Sequence, residues 1–168
     1  MYTGYKENNG PFVIRYPRGK GEMADWRNEM HVLPIGKGKK LRDGDDIAIL
    51  SLGPIGNEVI KAIKEIEGDG ISIAHYDMIY LKPMDEELLH EVGKKFSRII
   101  TVENGVIRGG LGSAVLEFMA DNGYTPKIKR IGVPDEFVEH GPISELYKLC
   151  GMDAKCIAEE IKKMVIGG

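Results

Sequence analysis

The apolar positions divide the chain into an irregular opening and a regular remainder. Residues 1–33 hold one short apolar run, Pro11-Phe-Val-Ile-Arg-Tyr16, which reads as a strand stopped by Pro17 and by the glycines at 19 and 21. Lys20 to Leu33 is charged and aperiodic, as a linker is, and its lone Trp26 is expected to pin it to a neighbouring surface. From Pro34 the pattern becomes regular. Ile35 to Leu41 predicts a strand, Arg42-Asp-Gly-Asp45 a turn, and Asp46-Ile-Ala-Ile-Leu-Ser-Leu52 a nearly continuous apolar strand of the kind covered on both faces. These two strands are expected to pair as an antiparallel hairpin.

Gly53 then turns the chain, and Pro54 sits near the first turn of a helix whose Ile55, Val59, Ile60, Ile63 and Ile66 keep helical spacing up to Gly68-Asp-Gly70. Ile71 to Tyr76 predicts a strand, and a helix begins at Asp85 with Leu88, Leu89 and Val92 on one face. A strand over Arg98 to Glu103, a helix over Gly109 to Asn122 bearing Val115, Leu116 and Met119, and a strand over Lys127 to Ile131 follow. Short helices near Ser144 to Leu149 and Asp153 to Val165 close the chain. Strands alternating with helices imply parallel pairing through right-handed crossovers. The expected fold is therefore an α/β class, three-layer α/β/α sandwich with a mostly parallel sheet and one antiparallel strand.

Composition narrows the function classes. At 168 residues, 42% hydrophobic and 29% charged, the chain is long enough for one buried core and has the make-up of a soluble globular protein. Its formal charge of -3 and scattered basic residues give no footprint for nucleic acid or an anionic membrane surface, and no stretch reaches the ~18 apolar residues of a membrane span. The densest cations, Lys37, Lys39 and Lys40, are expected on a solvated strand edge, where lysine blocks edge-to-edge pairing. Cys150 and Cys156 lack CxxC spacing and are expected to be buried free thiols, which agrees with a reducing cytoplasm.

Three strings carry candidate chemistry. Glu103-Asn-Gly-Val-Ile-Arg-Gly-Gly-Leu-Gly-Ser113 is a glycine-rich loop between a strand and a helix. Its backbone N–H groups could cradle a phosphate. It lacks a full GxGxxG and a P-loop lysine, so a tight turn with close helix–sheet packing is the favoured reading. Glu103 is expected at the carboxyl end of a central strand, the edge where α/β proteins bind ligands or partners. Arg15 and Arg18 flank Tyr16-Pro17 and, three apart in an extended segment, point to opposite faces. Arg18, beside Pro17 and Gly19, is the better placed to reach a phosphate, and an ordinary surface arginine is the alternative. Histidines 31, 75, 90 and 140 show no metal-ligand spacing and no triad partner. His31 and His90 are expected to be exposed or capping, and His140 could meet a ligand or a subunit. No catalytic, cofactor-binding or metal-binding residue is assigned.

Five strings in order along the chain resemble the end of the 1-deoxy-D-xylulose-5-phosphate synthase family, among the transketolase-like, thiamine-diphosphate-dependent enzymes. They are Pro11-Phe-Val-Ile-Arg-Tyr-Pro-Arg-Gly19, Leu33-Pro-Ile-Gly-Lys-Gly38, Leu81-Lys-Pro-Met-Asp-Glu-Glu-Leu-Leu89, Val102-Glu-Asn-Gly105 with Gly109-Gly-Leu-Gly-Ser113, and Gly132-Val-Pro-Asp-Glu-Phe-Val-Glu-His-Gly141. The resemblance implies a remnant of the pyrimidine-binding domain and linker over 1–33 and a transketolase carboxy-terminal domain over 34–168. It implies a transferase whose whole form uses thiamine diphosphate and Mg2+ to join pyruvate, with loss of CO2, to glyceraldehyde 3-phosphate. The product serves isoprenoid, thiamine and pyridoxal phosphate synthesis. The partners implied are the amino-terminal and pyrimidine-binding domains of the same enzyme, within a cytoplasmic homodimer. Arg18 matches the family arginine that helps hold the acceptor's phosphate, whereas the cofactor and metal residues are expected outside this sequence, so the chain alone is expected to be inactive.

Such enzymes also carry a Gly-Asp-Gly metal motif with asparagine partners downstream. Here Lys94-Lys-Phe-Ser-Arg-Ile99, where those partners would fall, holds none, so Gly68-Asp69-Gly70 reads as a helix stop. A non-catalytic split subunit or regulatory module, and a 2-oxoacid dehydrogenase β-subunit fragment, are the alternative readings.

Overall fold

The computed structural model describes residues 1–7, 10–16 and 27–167, which fall into two compact units, Met1–Ile35 and Gly36–Gly168. In the first, helix α1 (Tyr2–Glu7) carries a buried Thr3, whose Oγ1 accepts the Leu33 backbone N–H at 3.0 Å. The strand expected at 11–16 is not formed: these residues are exposed and assigned to no strand. An apolar run becomes a strand only where a partner takes up its N–H and C=O groups. Among the described residues the only five-stranded sheet lies in the second unit.

That unit contains β1 (Lys39–Arg42), β2 (Ile47–Leu52), α2 (Gly56–Glu65), β3 (Ile73–Asp77), α3 (Glu86–Lys95), β4 (Arg98–Val106), α4 (Leu111–Asp121), β5 (Lys127–Val133), α5 (Ile143–Leu149) and α6 (Ala154–Ile166). The sheet order is β1-β3-β2-β4-β5, with β1 antiparallel to β3 and every other pair parallel. The three-layer sandwich with one antiparallel strand is thus present.

The expected β1–β2 hairpin is not. The connection between them passes the amino-terminal end of β3, so the two strands flank β3 instead of meeting. Ser72, just before β3, holds this connection: its carbonyl accepts the Asp46 N–H at 2.8 Å, and its own N–H donates to Asp46 Oδ2 at 2.7 Å. Gly44 lies so close to the backbone of Ile73 and Ala74 that a Cβ there would overlap it.

Side chains alternate between two cores because successive strand residues point to opposite faces. Ile47, Ile49, Ile100 and Val102 pack with Val59 and Ile63 of α2 and Ile157 and Ile161 of α6. Ala48, Leu50, Tyr76 and Ile99 pack on the other face with Leu89 and Val92 of α3 and Leu111 and Val115 of α4. Each fully buried aliphatic side chain contributes roughly 1.5–3 kcal/mol relative to exposure. Helix caps fix the layers to one another. Asp85 accepts the Leu88 N–H at 3.2 Å as the N-cap of α3, and also the Gly38 N–H at 3.0 Å, which ties the lead-in of β1 to that helix. Glu58 of α2 accepts the Ala154 N–H at 3.1 Å, so one helix caps the start of another.

Candidate functional site

The carboxyl edge of the parallel strands is where this topology places a site, and its most ordered feature is Glu103. The β2–β4 register ends at Leu52 opposite Glu103. The side chain is 4% exposed, with Oε2 accepting the Leu111 N–H and Oε1 the Gly112 N–H, both at 2.9 Å. These amides open α4, whose N-cap, Gly110, supplies no side-chain acceptor. A carboxylate there complements the positive end of the helix. The glycines follow from it: a Cβ on Gly110 would collide with the carboxylate, and one on Gly112 would come within 2.8 Å of Thr101 Oγ1 and Arg130 Cγ. The loop is therefore an anion cradle filled by the protein's own carboxylate, and the tight-turn reading holds over the phosphate reading.

Neighbours hold this loop from both sides. Arg130 Nη1 donates to the Ile107 carbonyl at 3.0 Å and to Ser113 Oγ at 3.2 Å, while Asn104 Nδ2 donates to the Tyr147 hydroxyl at 3.2 Å. Thr101 Oγ1 beside them is buried without a hydrogen-bond partner. Tyr147 also packs against the core, so α5 is tied both to the core and to the end of β4.

A second buried polar pair escaped the sequence reading. His75 of β3 is 1% exposed, and its Nε2 lies 2.8 Å from Ser51 Oγ of β2, itself fully buried. Burial disfavours the imidazolium and pushes its pKa down to about 4, so the ring is neutral at neutral pH. Its position inside a strand flanked by Ile73, Ala74 and Tyr76 was the available signal. Two residues on in the same strand, the Asp77 pKa is pushed up chiefly by burial, against hydrogen bonds from the Ile79 and Gly53 amides.

The remaining sequence candidates fall apart spatially. Arg18 and Trp26 lie outside the described residues, and Arg15 is exposed. Asp69 of the Gly-Asp-Gly string pairs with Lys162 at 2.6 Å, and Gly70 adopts φ 72°, the left-handed turn expected of it. His31 is exposed, with Nδ1 3.4 Å from the Glu29 carbonyl, and His140 is exposed in the 134–142 loop. His90 does not cap: its Nδ1 is 3.0 Å from the Tyr124 hydroxyl and its ring lies edge-on to Phe118, pinning α3 to the end of α4.

Lys37 and Lys40 lie beside the edge strand as expected, but they are ion-paired across a shallow cavity of about 340 Å3 to Asp85, Glu87 and Glu91 of α3 and its cap. Burial works to raise the Asp85 pKa, yet the Gly38 and Leu88 amides and the Lys37 ammonium hold it below its ordinary value. The two cysteines are free but half-buried, not buried. The Asp153 side chain beside Cys156, aided by burial, raises that thiol to about 11, far from a reactive thiolate.

The Asp and the amides that could bind a metal or a diphosphate already have partners within the chain. Asp69 is committed to Lys162 and the glycine-rich amides to Glu103, and among the described residues no three metal-ligating side chains converge.

Comparison with known proteins places this geometry. The chain is 78% identical over 97% of its length to the 1-deoxy-D-xylulose-5-phosphate synthase of Parabacteroides distasonis, and 58% identical over 97% to that of Bacteroides fragilis. It spans about a quarter of the length of these curated relatives, 26% and 25% respectively. A solved structure described as a split gene transketolase, inactive beta4 tetramer, superimposes with a TM-score of 0.72 at 32% identity, covering 81% of this chain and 43% of that one. The family model described as transketolase, C-terminal domain, matches residues 36–157, and the chain belongs to that family.

Proposed function

We propose that the chain serves as the carboxy-terminal domain of a 1-deoxy-D-xylulose-5-phosphate synthase, a cytoplasmic transferase that condenses pyruvate with glyceraldehyde 3-phosphate and releases CO2. The observation that carries this reading is the 78% identity, over nearly the whole chain, to the P. distasonis relative of that name. In this reading residues 1–33 are the tail of the pyrimidine-binding domain and 34–168 the terminal domain. Thiamine diphosphate and Mg2+ supply the electron sink and its anchoring in the remainder of the enzyme. The internal occupancy of the α4 amides by Glu103 fits a structural role for this domain. Arg18, the second arginine of Arg15-Tyr-Pro-Arg18, helps hold the acceptor's phosphate through its planar fork of donors. The whole enzyme acts as a homodimer; the split-gene transketolase relative, described as an inactive beta4 tetramer, supports self-association.

A hybrid enzyme tests the reading. Replacing the matching carboxy-terminal quarter of the P. distasonis protein with this chain is expected to preserve deoxyxylulose phosphate formation, while the chain alone, given cofactor and Mg2+, forms none. Turnover by the isolated chain, or a folded hybrid without activity, overturns it. Within an active hybrid, Arg18→Ala is expected to raise the KM for glyceraldehyde 3-phosphate by roughly tenfold or more, the loss of a charge-assisted hydrogen bond, with the KM for pyruvate unchanged. An unchanged acceptor KM removes Arg18 from the site.

The split-gene relative favours one second reading, a separate subunit that completes a site on another chain. The coding sequence immediately upstream of Met1 separates the two: a continuous frame through the cofactor-binding segments supports the first.

A further inference from the structure

The carboxyl end of β3 leaves the sheet through a backbone state that its residue disfavours. Ile79 has φ 55°, and among the described residues it is the only non-glycine with a positive φ. A β-branched side chain crowds the neighbouring carbonyl there, which disfavours the state roughly 5- to 30-fold in population. The Tyr80 N–H donates back to the Met78 carbonyl, so Ile79 centres a three-residue γ-turn of the rarer, strained hand. Such a turn persists only where its surroundings hold it. Met78, fully buried, donates its N–H to the Ser51 carbonyl at 2.8 Å and so fixes the residue before the turn. On the other side Gly38 approaches so closely that a Cβ there would lie 3.0 Å from the Asp77 carbonyl oxygen.

Asp77 supplies the remaining hold. Its Oδ1 accepts the Ile79 N–H at 3.1 Å, and its carboxylate also accepts the amide of Gly53, which turns the chain after β2 at φ 79°. One carboxylate thus ties together the turns that leave two neighbouring parallel strands. The carboxylate is itself stressed, because burial outweighs both amides and Lys39, opposite it on β1, and raises its pKa above the ordinary value. Ser51, opposite it on β2, carries no charge, and His75, two residues back on the same face, is neutral above about pH 4. We propose that Asp77 and Ile79 form a pH-sensitive clasp at the carboxyl edge of the sheet: the ionised carboxylate holds the Ile79 turn in its strained form, and protonation lets the turn relax to a negative φ. A charged acceptor bonds an amide about twice as strongly as a neutral one, so loss of the charge removes what offsets the strain. The backbone stress and the buried charge are relieved in one step. The edge at which parallel α/β sheets meet their ligands and partners then has two shapes, selected by a single carboxyl group.

Nuclear magnetic resonance of the 168-residue chain tests the clasp. A strong intraresidue HN–Hα cross-peak marks a positive φ; Ile79 is expected to show it at pH 7.5 and to lose it as the Asp77 carboxyl, followed by its own carbon resonance, takes up a proton. The Gly53 and Ile79 amide resonances are expected to move with the same midpoint. Repeating the titration in His75→Gln removes the nearby ring that also titrates. Asp77→Ala is expected to lack the cross-peak at every pH. Stability supplies a second readout, since glycine accepts a positive φ that alanine resists. At pH 7.5 Ile79→Gly is expected to exceed Ile79→Ala roughly fivefold in folding equilibrium constant, and that advantage is expected to vanish or reverse when Asp77→Ala is added. Absence of the cross-peak at pH 7.5, or a cross-peak indifferent to the Asp77 titration, overturns the proposal. So does a preference for glycine that survives Asp77→Ala unchanged.

Discussion

His75 shows how one buried side chain makes stability depend on pH. Its pKa is about 4 folded, against about 6.5 for a free imidazole. Between these values the unfolded chain binds a proton that the folded chain refuses, so stability is complete above about pH 6.5 and falls as pH drops toward 4. The expected loss across that window is about 3 kcal/mol, from the ~1.4 kcal/mol attached to each tenfold difference in proton affinity. Urea unfolding from pH 7.5 to 4.5 should show it, and His75→Gln, which keeps a polar group for Ser51, should flatten the slope by about one proton. A natural chain whose midpoint is flat over that window would mean that the ring is charged in the folded state. Residue-scale chemistry was partly legible beforehand. Gly68-Asp-Gly70 read correctly as a turn, and the glycine-rich loop as a close packing. The Glu103 carboxylate inside that loop was not foreseen, because nothing in a one-dimensional string shows that a strand residue eight positions back reaches the helix amides.

At the scale of elements, the strand-to-helix alternation was readable from periodicity, and the pairing of β1 was not. Local reasoning joins two strands across a short Asp-Gly turn. Here the turn is claimed by Ser72 and by the backbone of β3, contacts distant in sequence. The apolar run at 11–16 misled for the matching reason, since strand propensity alone does not specify a sheet. Gly44 carries the topology, because a Cβ there meets backbone atoms of Ile73 and Ala74 that have no freedom to move aside. Gly44→Ala is expected to cost about 2–3 kcal/mol, seen as a lower urea midpoint at an unchanged slope. Gly68 is the control: nothing lies within 4 Å of its Cβ position, so Gly68→Ala should be neutral or stabilising by up to about 1 kcal/mol. Equal effects at the two glycines would mean that the crossing at β3 is not tight.

For the whole molecule, the class of fold followed from the order of elements, while the assignment to a family needed particular strings of residues. The reason is physical: alternating apolar strands and helices specify a sandwich, but many functions share one. The distribution of buried side chains adds a test. Among the described residues, every buried apolar residue, from Ile47 to Met164, belongs to the second unit, and the one buried residue of the first is Thr3. Unfolding free energy and denaturant slope both track the surface buried by a core, so residues 36–168 should hold nearly all of either. Deleting residues 1–35 is therefore expected to leave the urea slope within about 10–15%, the ordinary error of such extrapolations, and the midpoint nearly unchanged. A broadened transition, or a midpoint lowered by more than the Gly44→Ala effect, would show that the first unit contributes to the cooperative core. An intact transition would let the terminal domain be studied alone, and would leave the part proposed for Arg18 to be tested in the hybrid enzyme.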